Sequence, residues 1–406
     1  MKKVVKFGGS SLASAEQFKK VGNIIRKEES RRYVIPSAPG KRTPDDTKVT
    51  DMLYSCYGQA ILGEDAEKDF EEQLEAIKER YNSIIRGLDL ELSLDEEFKT
   101  IRTNFSKKIG RDYAASRGEY LNGIIMAAYL GYEFIDAAEV IVFDENGNFD
   151  GDKTHEILSA RLENTERAVI PGFYGAKPDG SIQTFSRGGS DITGSIVAKA
   201  VHADMYENWT DVSGFLIADP RIIKNPKPID VITYRELREL SYMGATVLHE
   251  DAIFPVRKEG IPINIRNTNA PEEKGTLIVE DTCRKPRFTI TGIAGKKDFA
   301  SITIEKAMMN SEVGFCRKVL EVFENNHISI EHMPSGIDTM TIFVHRDEFE
   351  EKEQDVIAGI HRAVEPDFLE LESDLALIAV VGRGMRPGEL PDVYLQHLHM
   401  QMSMSR

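Results

Sequence analysis

The chain has 406 residues, 41% of them hydrophobic, and one tryptophan, enough for two or three domains with ordinary cores. Its formal net charge of -16 argues against binding phosphate backbones, which calls for a basic footprint, so no nucleic-acid partner is expected. Cys56, Cys283 and Cys316 are odd in number and far apart, which fits buried thiols in a reducing compartment and neither a disulfide framework nor a zinc site. No signal-peptide pattern opens the chain and no stretch has the about 18 apolar residues of a membrane helix, so a cytoplasmic protein is expected.

In chain order, VVKFGGSSLAS (4–14) reads as a strand, a glycine bend and a helix start; AEQFKKVGNIIRKE places Phe18, Val21, Ile24 and Ile25 at helical spacing; and YVIPSA reads as a second strand. Residues 63–109 form a charged helical excursion whose acidic run reads as a solvated face. EFIDAAEVIVFD, RAVIPGFYG, IQTF and MYENWTDV read as further strands, with ITGSIVAKAV a helix between the last two. This alternation predicts a largely parallel sheet flanked by helices. From residue 286 the order changes to strand, helix, strand, strand, helix in a small module, with the boundary at 281–286.

Two strand-Gly-Gly-Ser turns carry the chemistry. In Lys6-Phe7-Gly8-Gly9-Ser10 the lysine precedes the glycines, the reverse of a P-loop, and a solvated lysine at a strand end is the bland reading of that motif alone. In Ser186-Arg187-Gly188-Gly189-Ser190-Asp191 a glycine turn feeds a helix N-terminus, where free N–H groups and the helix dipole favour an anion. Helix capping by Ser190 or Asp191 is the alternative, but Arg187 adds a guanidinium fork able to clamp a carboxylate or phosphate. A site between the two turns would face two anionic substrates.

KFGGSS, SRGE (116–119), FSRGGSD, NWTDVSGFLIADPR and MGATVLH, in this order, resemble the aspartate kinases of the amino acid kinase superfamily, over residues 1–388. The resemblance implies a carbamate kinase-like three-layer α/β sandwich over 1–283, an ACT (ferredoxin-like) α+β module over 284–372, and an incomplete second one over 373–406. It implies phosphorylation of the L-aspartate β-carboxylate by ATP with Mg2+, the step that opens lysine, threonine and methionine synthesis. Lys6 would contact the transferring phosphoryl group, the N–H groups of Gly8, Gly9 and Ser10 would cradle phosphates, and Asp191 would sit near magnesium, with no dedicated protein metal site. An amino acid substrate calls for a cation for its α-carboxylate, Arg187, and an anion for its ammonium, Glu119, with Ser37, Thr50 and Ser190 donating hydrogen bonds. The β-carboxylate is already ionised, so no base is required and the histidines read as structural. Thr210, Asp211, Phe215, Asp219 and Arg221 match the nucleotide segment, although a strand-turn-loop with a solvated arginine is the plainer reading. Thr246 stands where the family commonly has lysine.

By the same resemblance an amino acid effector, lysine first, would lie near Met309, Ser329, Glu331, Met333 and Asp338, with core packing the plainer role for both methionines. The apolar strand LALIAVVG is expected to be exposed or covered by a partner chain, because ELPDVYLQHLHMQMSMSR is too short for the rest of a second module. A homodimer with a weak response to lysine follows as an expectation. Two alternatives stay open: a catalytically silent amino acid sensor, and another amino acid kinase such as a glutamate kinase.

Overall fold

The computed structural model describes residues 1–63, 66–186, 188–244, 253–281 and 289–383. They form two compact units, one drawn from the described residues of 1–241, 253–292 and 382–383 and the other from 242–244 and 293–381. Cys283, the expected boundary at 281–286 beyond its first residue, and the tail after 383 lie outside the described residues.

Up to residue 281 the elements are β1 (Lys3–Phe7), α1 (Ala15–Arg26), β2 (Arg31–Pro36), α2 (Val49–Leu62), α3 (Glu67–Gly87), α4 (Asp95–Ser106), α5 (Arg111–Leu130), β3 (Glu133–Phe134), α6 (Ala137–Val140), α7 (Gly151–Leu162), β4 (Ala168–Val169), β5 (Tyr174–Ala176), β6 (Ile182–Thr184), α8 (Gly189–Ala200), β7 (Met205–Thr210), β8 (Val231–Thr233), α9 (Tyr234–Tyr242), α10 (Phe254–Lys258), β9 (Ile263–Asn267) and β10 (Thr276–Val279). An eight-stranded sheet has the order β3-β4-β2-β1-β7-β9-β10-β8, parallel except where β9 meets β10. Every residue of β1 is buried, as expected of a strand covered on both faces. Val5, Phe7 and Trp209 join a core with α1, α2, α3 and α5, while the alternating side chains of Lys6, Tyr206 and Asn208 reach α8 on the other face. The result is the expected three-layer sandwich.

The expected strand EFIDAAEVIVFD is broken after Phe134. Asp136 accepts a hydrogen bond from Ala138 N at 3.0 Å and caps the short α6, so a side-chain cap outcompetes extension of the strand. In the excursion the acidic residues of α3 do face solvent, with one exception in charge: Arg80 is buried in the apolar stripe of Leu74, Ile77 and Ile84.

The face of β1 turned toward α1 carries a buried charge network. Glu207, fully buried, accepts from Arg31 Nε at 2.8 Å, Lys3 Nζ at 2.9 Å and Trp209 Nε1 at 2.9 Å. Burial alone would raise its pKa, but the Arg31 hydrogen bond and the two cationic charges hold it below the usual carboxylate value. The chain leaves this unit at Gly292 and re-enters it at Gly382, and one carboxylate holds both ends: Glu236 Oε1 accepts from Thr291 Oγ1 at 2.6 Å and Arg383 Nε at 3.0 Å.

The second unit contains β11 (Gly292–Glu305), α11 (Phe315–Asn325), β12 (Ile330–His332), β13 (Thr339–His345), α12 (Arg346–Phe349), α13 (Glu353–Val364) and β14 (Phe368–Val381). Its sheet order, β12-β13-β11-β14, with α11 and α13 sharing its core, is the ferredoxin-like arrangement. A boundary at 372/373 falls inside β14, which is one continuous strand. The change of character comes at Asp298 and Asp374, whose φ angles of 71° and 61° lie in the left-handed region that aspartate tolerates better than most residues. Beyond them β11 and β14 continue as a ribbon, with Gly295 against Leu377, on which Ile293 and Ile378 are exposed. The apolar strand is thus paired with β11 along one edge and leaves Ile378 exposed.

We predict that Glu207→Gln, which leaves Lys3 and Arg31 facing a neutral amide, lowers unfolding free energy by about 3–5 kcal/mol in a urea titration. A loss below about 1 kcal/mol, the range of a surface pair, would show that the network is hydrated rather than desolvated.

Candidate active site

The site forms outside the carboxyl ends of β1, β2, β4 and β7. β1 lies between β2 and β7, so the chain departs from it to both sides, which is where open α/β sheets leave a crevice. Lys6 pairs in register with Asn208 across β1 and β7. Its ammonium lies 2.6 Å from Asp191 Oδ1 and 3.4 Å from Asn208 Oδ1, and Asn208 Nδ2 donates to the same Asp191 oxygen at 2.9 Å. Asp191 is in the first turn of α8, anchored where Tyr206 Oη donates to its carbonyl at 3.2 Å. Lys6 is therefore a fixed cation, not a solvated strand-end lysine. Asn208 was missed in the sequence; its position opposite Lys6, two residues before Thr210, is the signal that a register argument could have used.

The glycine turn after β1 is tightly enclosed. A Cβ on Gly9 would come within 2.8 Å of Ala38 O, and one on Gly40 within 2.6 Å of Gly9 C. Gly40 N donates to Gly9 O at 2.8 Å, so the turns after β1 and β2 touch through backbone alone. The N–H groups of Gly9 and Ser10 open a helical turn and have no intrahelical acceptor, which suits a phosphate. Gly8 is a correction: its N–H donates to Trp209 O at 3.0 Å, closing the β1–β7 seam, and is spent.

Glu119, in α5, is 6% exposed. Its Oε1 accepts from Ala38 N at 3.0 Å, and its Oε2 is buried with no hydrogen-bond partner among the described residues. Burial pushes its pKa up to about 7, against the pull of the Ala38 N–H and the Lys6 charge. Asn122, one turn on, donates to Ser37 O at 2.6 Å and fixes that residue. Thr50 Oγ1 lies 3.8 Å from the Cβ direction of Gly118, next to Glu119, and Ser190 packs on Gly172, whose N–H donates to Pro36 O at 3.3 Å. Gly188 opens α8 in the left-handed region at φ 59° with no side-chain cap, so neither Ser190 nor Asp191 caps the helix and its N-terminus stays open to an anion. Arg187 lies outside the described residues, as does Thr246.

The nucleotide segment is brought in less completely. Thr210 shares the strand face of Asn208 and donates to the exposed Asp211 at 3.2 Å. Phe215 is a correction: its side chain is 2% exposed, its N–H donates to Thr276 Oγ1 and its carbonyl accepts from Ile229 N, so the residue supports the turn and offers nothing to a ligand. Asp219 and Arg221 are clasped to each other, with Arg221 Nε 3.0 Å from both carboxylate oxygens, and the guanidinium points into solvent. In the second unit Met309 and Met333 pack against the core and are corrected to structural residues. Asp338 accepts from Met308 N at 2.9 Å and Ser329 N donates to Glu348, both Asp338 and Ser329 being exposed, whereas Glu331 accepts from Tyr242 Oη, lies 3.5 Å from His345 Nε2 and is largely covered.

The raised pKa of Glu119 has a signed consequence. Between its ordinary value of 4.5 and about 7 the folded state holds a proton that the unfolded state has released, so stability falls as pH rises through that window. We predict that Glu119→Gln flattens this fall in denaturation curves taken from pH 4.5 to 8; an unchanged slope would assign it to other groups.

Comparison with known proteins places the chain in a family. Residues 1–267 match the model of the amino acid kinase family. Aspartokinase 3 of Bacillus subtilis (strain 168) is 40% identical over 401 residues, 95% of this chain and 87% of that protein. The crystal structure of Clostridium acetobutylicum aspartate kinase, described as an allosteric enzyme, superposes with a TM-score of 0.90 at 51% identity, covering 98% of this chain and 91% of that one. Escherichia coli aspartokinase III, solved with lysine and aspartate, shares the fold at a TM-score of 0.69 and 23% identity, covering 95% and 88%. The chain belongs to the amino acid kinase family and, within it, to the aspartokinases.

Proposed function

We propose that the chain transfers the γ-phosphoryl group of ATP to the β-carboxylate of L-aspartate, giving 4-phospho-L-aspartate and ADP. The observation that carries the substrate choice is Glu119: a buried carboxylate oxygen without a partner among the described residues is costly unless a cation completes it, and the α-ammonium of an amino acid does so. Arg187 takes the α-carboxylate, and Ser37, Thr50 and Ser190 donate the remaining hydrogen bonds. Phosphoryl transfer to an ionised carboxylate needs alignment and charge neutralisation rather than a base. Lys6, held by Asp191 and Asn208, supplies a preorganised positive charge, and the N–H groups of Gly9, Ser10 and the α8 N-terminus receive phosphate oxygens. Thr210, Asp211, Asp219, Arg221 and Thr246 are assigned to the nucleotide side. Asp191 would be the carboxylate beside Mg2+, which phosphates and water otherwise carry. Bound there, Mg2+ would neutralise phosphate charge.

ADP release measured with L-aspartate and with L-glutamate tests this reading, and release with glutamate alone would overturn it. Lys6→Ala should lower kcat by about 100-fold or more, as expected for a group acting in the transition state. Arg187→Ala should instead raise the KM for aspartate, and an unchanged KM would remove Arg187 from the carboxylate clamp.

We further propose that the second unit binds an amino acid effector, L-lysine, through Ser329, Glu331 and Asp338, and that the enzyme is a homodimer. The description of the Clostridium acetobutylicum relative as allosteric and the open ribbon of Ile293 and Ile378 support this. In lysine titrations of ADP release, Glu331→Gln should raise the half-effective concentration about tenfold, as for a lost charge-assisted bond. A dimer is expected in sedimentation; a monomer, or a lysine response unmoved in Glu331→Gln, would overturn the respective claim. No helix among the described residues is long and apolar enough to cross a membrane.

A further inference from the structure

We infer that Arg80, from the helical excursion, is a positioning residue for the transfer: it fixes the Ser37–Gly40 loop against the Gly9 turn and Glu119. The side chain is 3% exposed. One terminal nitrogen donates to Gly40 O at 2.7 Å and to Ala13 O at 3.3 Å, and the other pairs with Asp46 Oδ2 at 2.7 Å. Asp46 is itself clasped by Arg42, with Nε at 2.8 Å from Oδ2 and the second nitrogen at 3.0 Å from Oδ1. The guanidinium thus ties together the segment after the first glycine turn, the end of the Ser37–Gly40 loop and the acid beyond it.

What it holds leaves no slack. Gly40 and Gly9 are already at backbone contact, so a shift of Gly40 must move Gly9, whose N–H faces the phosphate side, or open the loop at Ala38, whose N–H donates to Glu119. The next residue, Tyr81, donates from Oη to Gly118 O at 2.8 Å, immediately before Glu119. Two adjacent side chains of α3 therefore grip both walls of the amino acid pocket. Stability alone does not account for an arginine here, because a buried ion pair, replaced as a whole by packed apolar side chains, is commonly lost at no cost. The partners are divided between two terminal nitrogens of one planar group, two carbonyls on one and a carboxylate on the other, a spread that the single nitrogen of a lysine ammonium does not match.

Only the kinetic arm of the test depends on the aspartate kinase reading. In Arg80→Lys, hydrogen exchange at the Gly40 amide should accelerate about tenfold while β1 and β2 amides keep their protection, the pattern of local rather than global opening. The KM for aspartate should rise about tenfold, with a much smaller change in the KM for ATP, the mark of a displaced pocket wall rather than a lost fold. Asp46→Asn, which leaves Arg80 in place but unpaired, should move both readouts in the same direction by less. Unchanged exchange at Gly40 would overturn the inference, as would accelerated exchange along β1 and β2 with unaltered kinetic constants for the folded fraction. If the wild-type protein released no ADP with aspartate, the functional reading would fail while the exchange data still decided the role of Arg80.

Discussion

The pairing of β1 with β7 is the constraint on which the rest of this structure depends. It sets Lys6 beside Asn208 and lets Gly8 donate to Trp209 O, so the strand ends and the glycine turn begins at one defined height above the sheet. A one-residue slip would turn Lys6 into the apolar layer beside Trp209 and present Phe7 to the phosphate side. The buried network around Glu207 works against such a slip, since Lys3, Arg31 and Trp209 all converge on one carboxylate on the other face of the same strands. Charge on one face of the sheet thus specifies the register that makes charge on the other face useful.

The same logic explains why so many polar groups near the site are buried and paired. Lys6 is not left to choose a rotamer; Asp191 and Asn208 define its ammonium position before any substrate arrives. Glu119 is held in the opposite condition, with one oxygen satisfied by Ala38 N and the other waiting. The contrast distinguishes a group that neutralises developing charge from one that recognises a fixed charge. Both depend on backbone contacts so close that only glycine fits at Gly9 and Gly40.

Much of this was legible in the chain itself. The apolar runs of β1, β2 and β7 mark strands of a sheet flanked by helices, and the ordered motifs identify the family without any geometry. The small C-terminal module was also readable, because its strand and helix periods alternate cleanly. The misreadings share one cause. Asp136, Gly8 and Phe215 occur in segments whose local pattern suits their expected roles, but a cap, a seam hydrogen bond and a buried turn claimed them instead.

What the sequence by itself determined is the set of local devices: strand, glycine turn, capped helix, and charges of the right sign beside them. Periodicity and turn chemistry act over a few residues and so can be read along the chain. Only the tertiary structure decided which of these charges meet. Asn208 lies 202 residues from Lys6, Glu119 lies 81 from Ala38 and Arg80 lies 40 from Gly40, and each pair is joined by a register or packing contact with no local sequence trace. Arg80 looked like one more charge on a solvated helix because solvation is a property of the fold: its position on α3 became buried only when the loop after β2 closed over it.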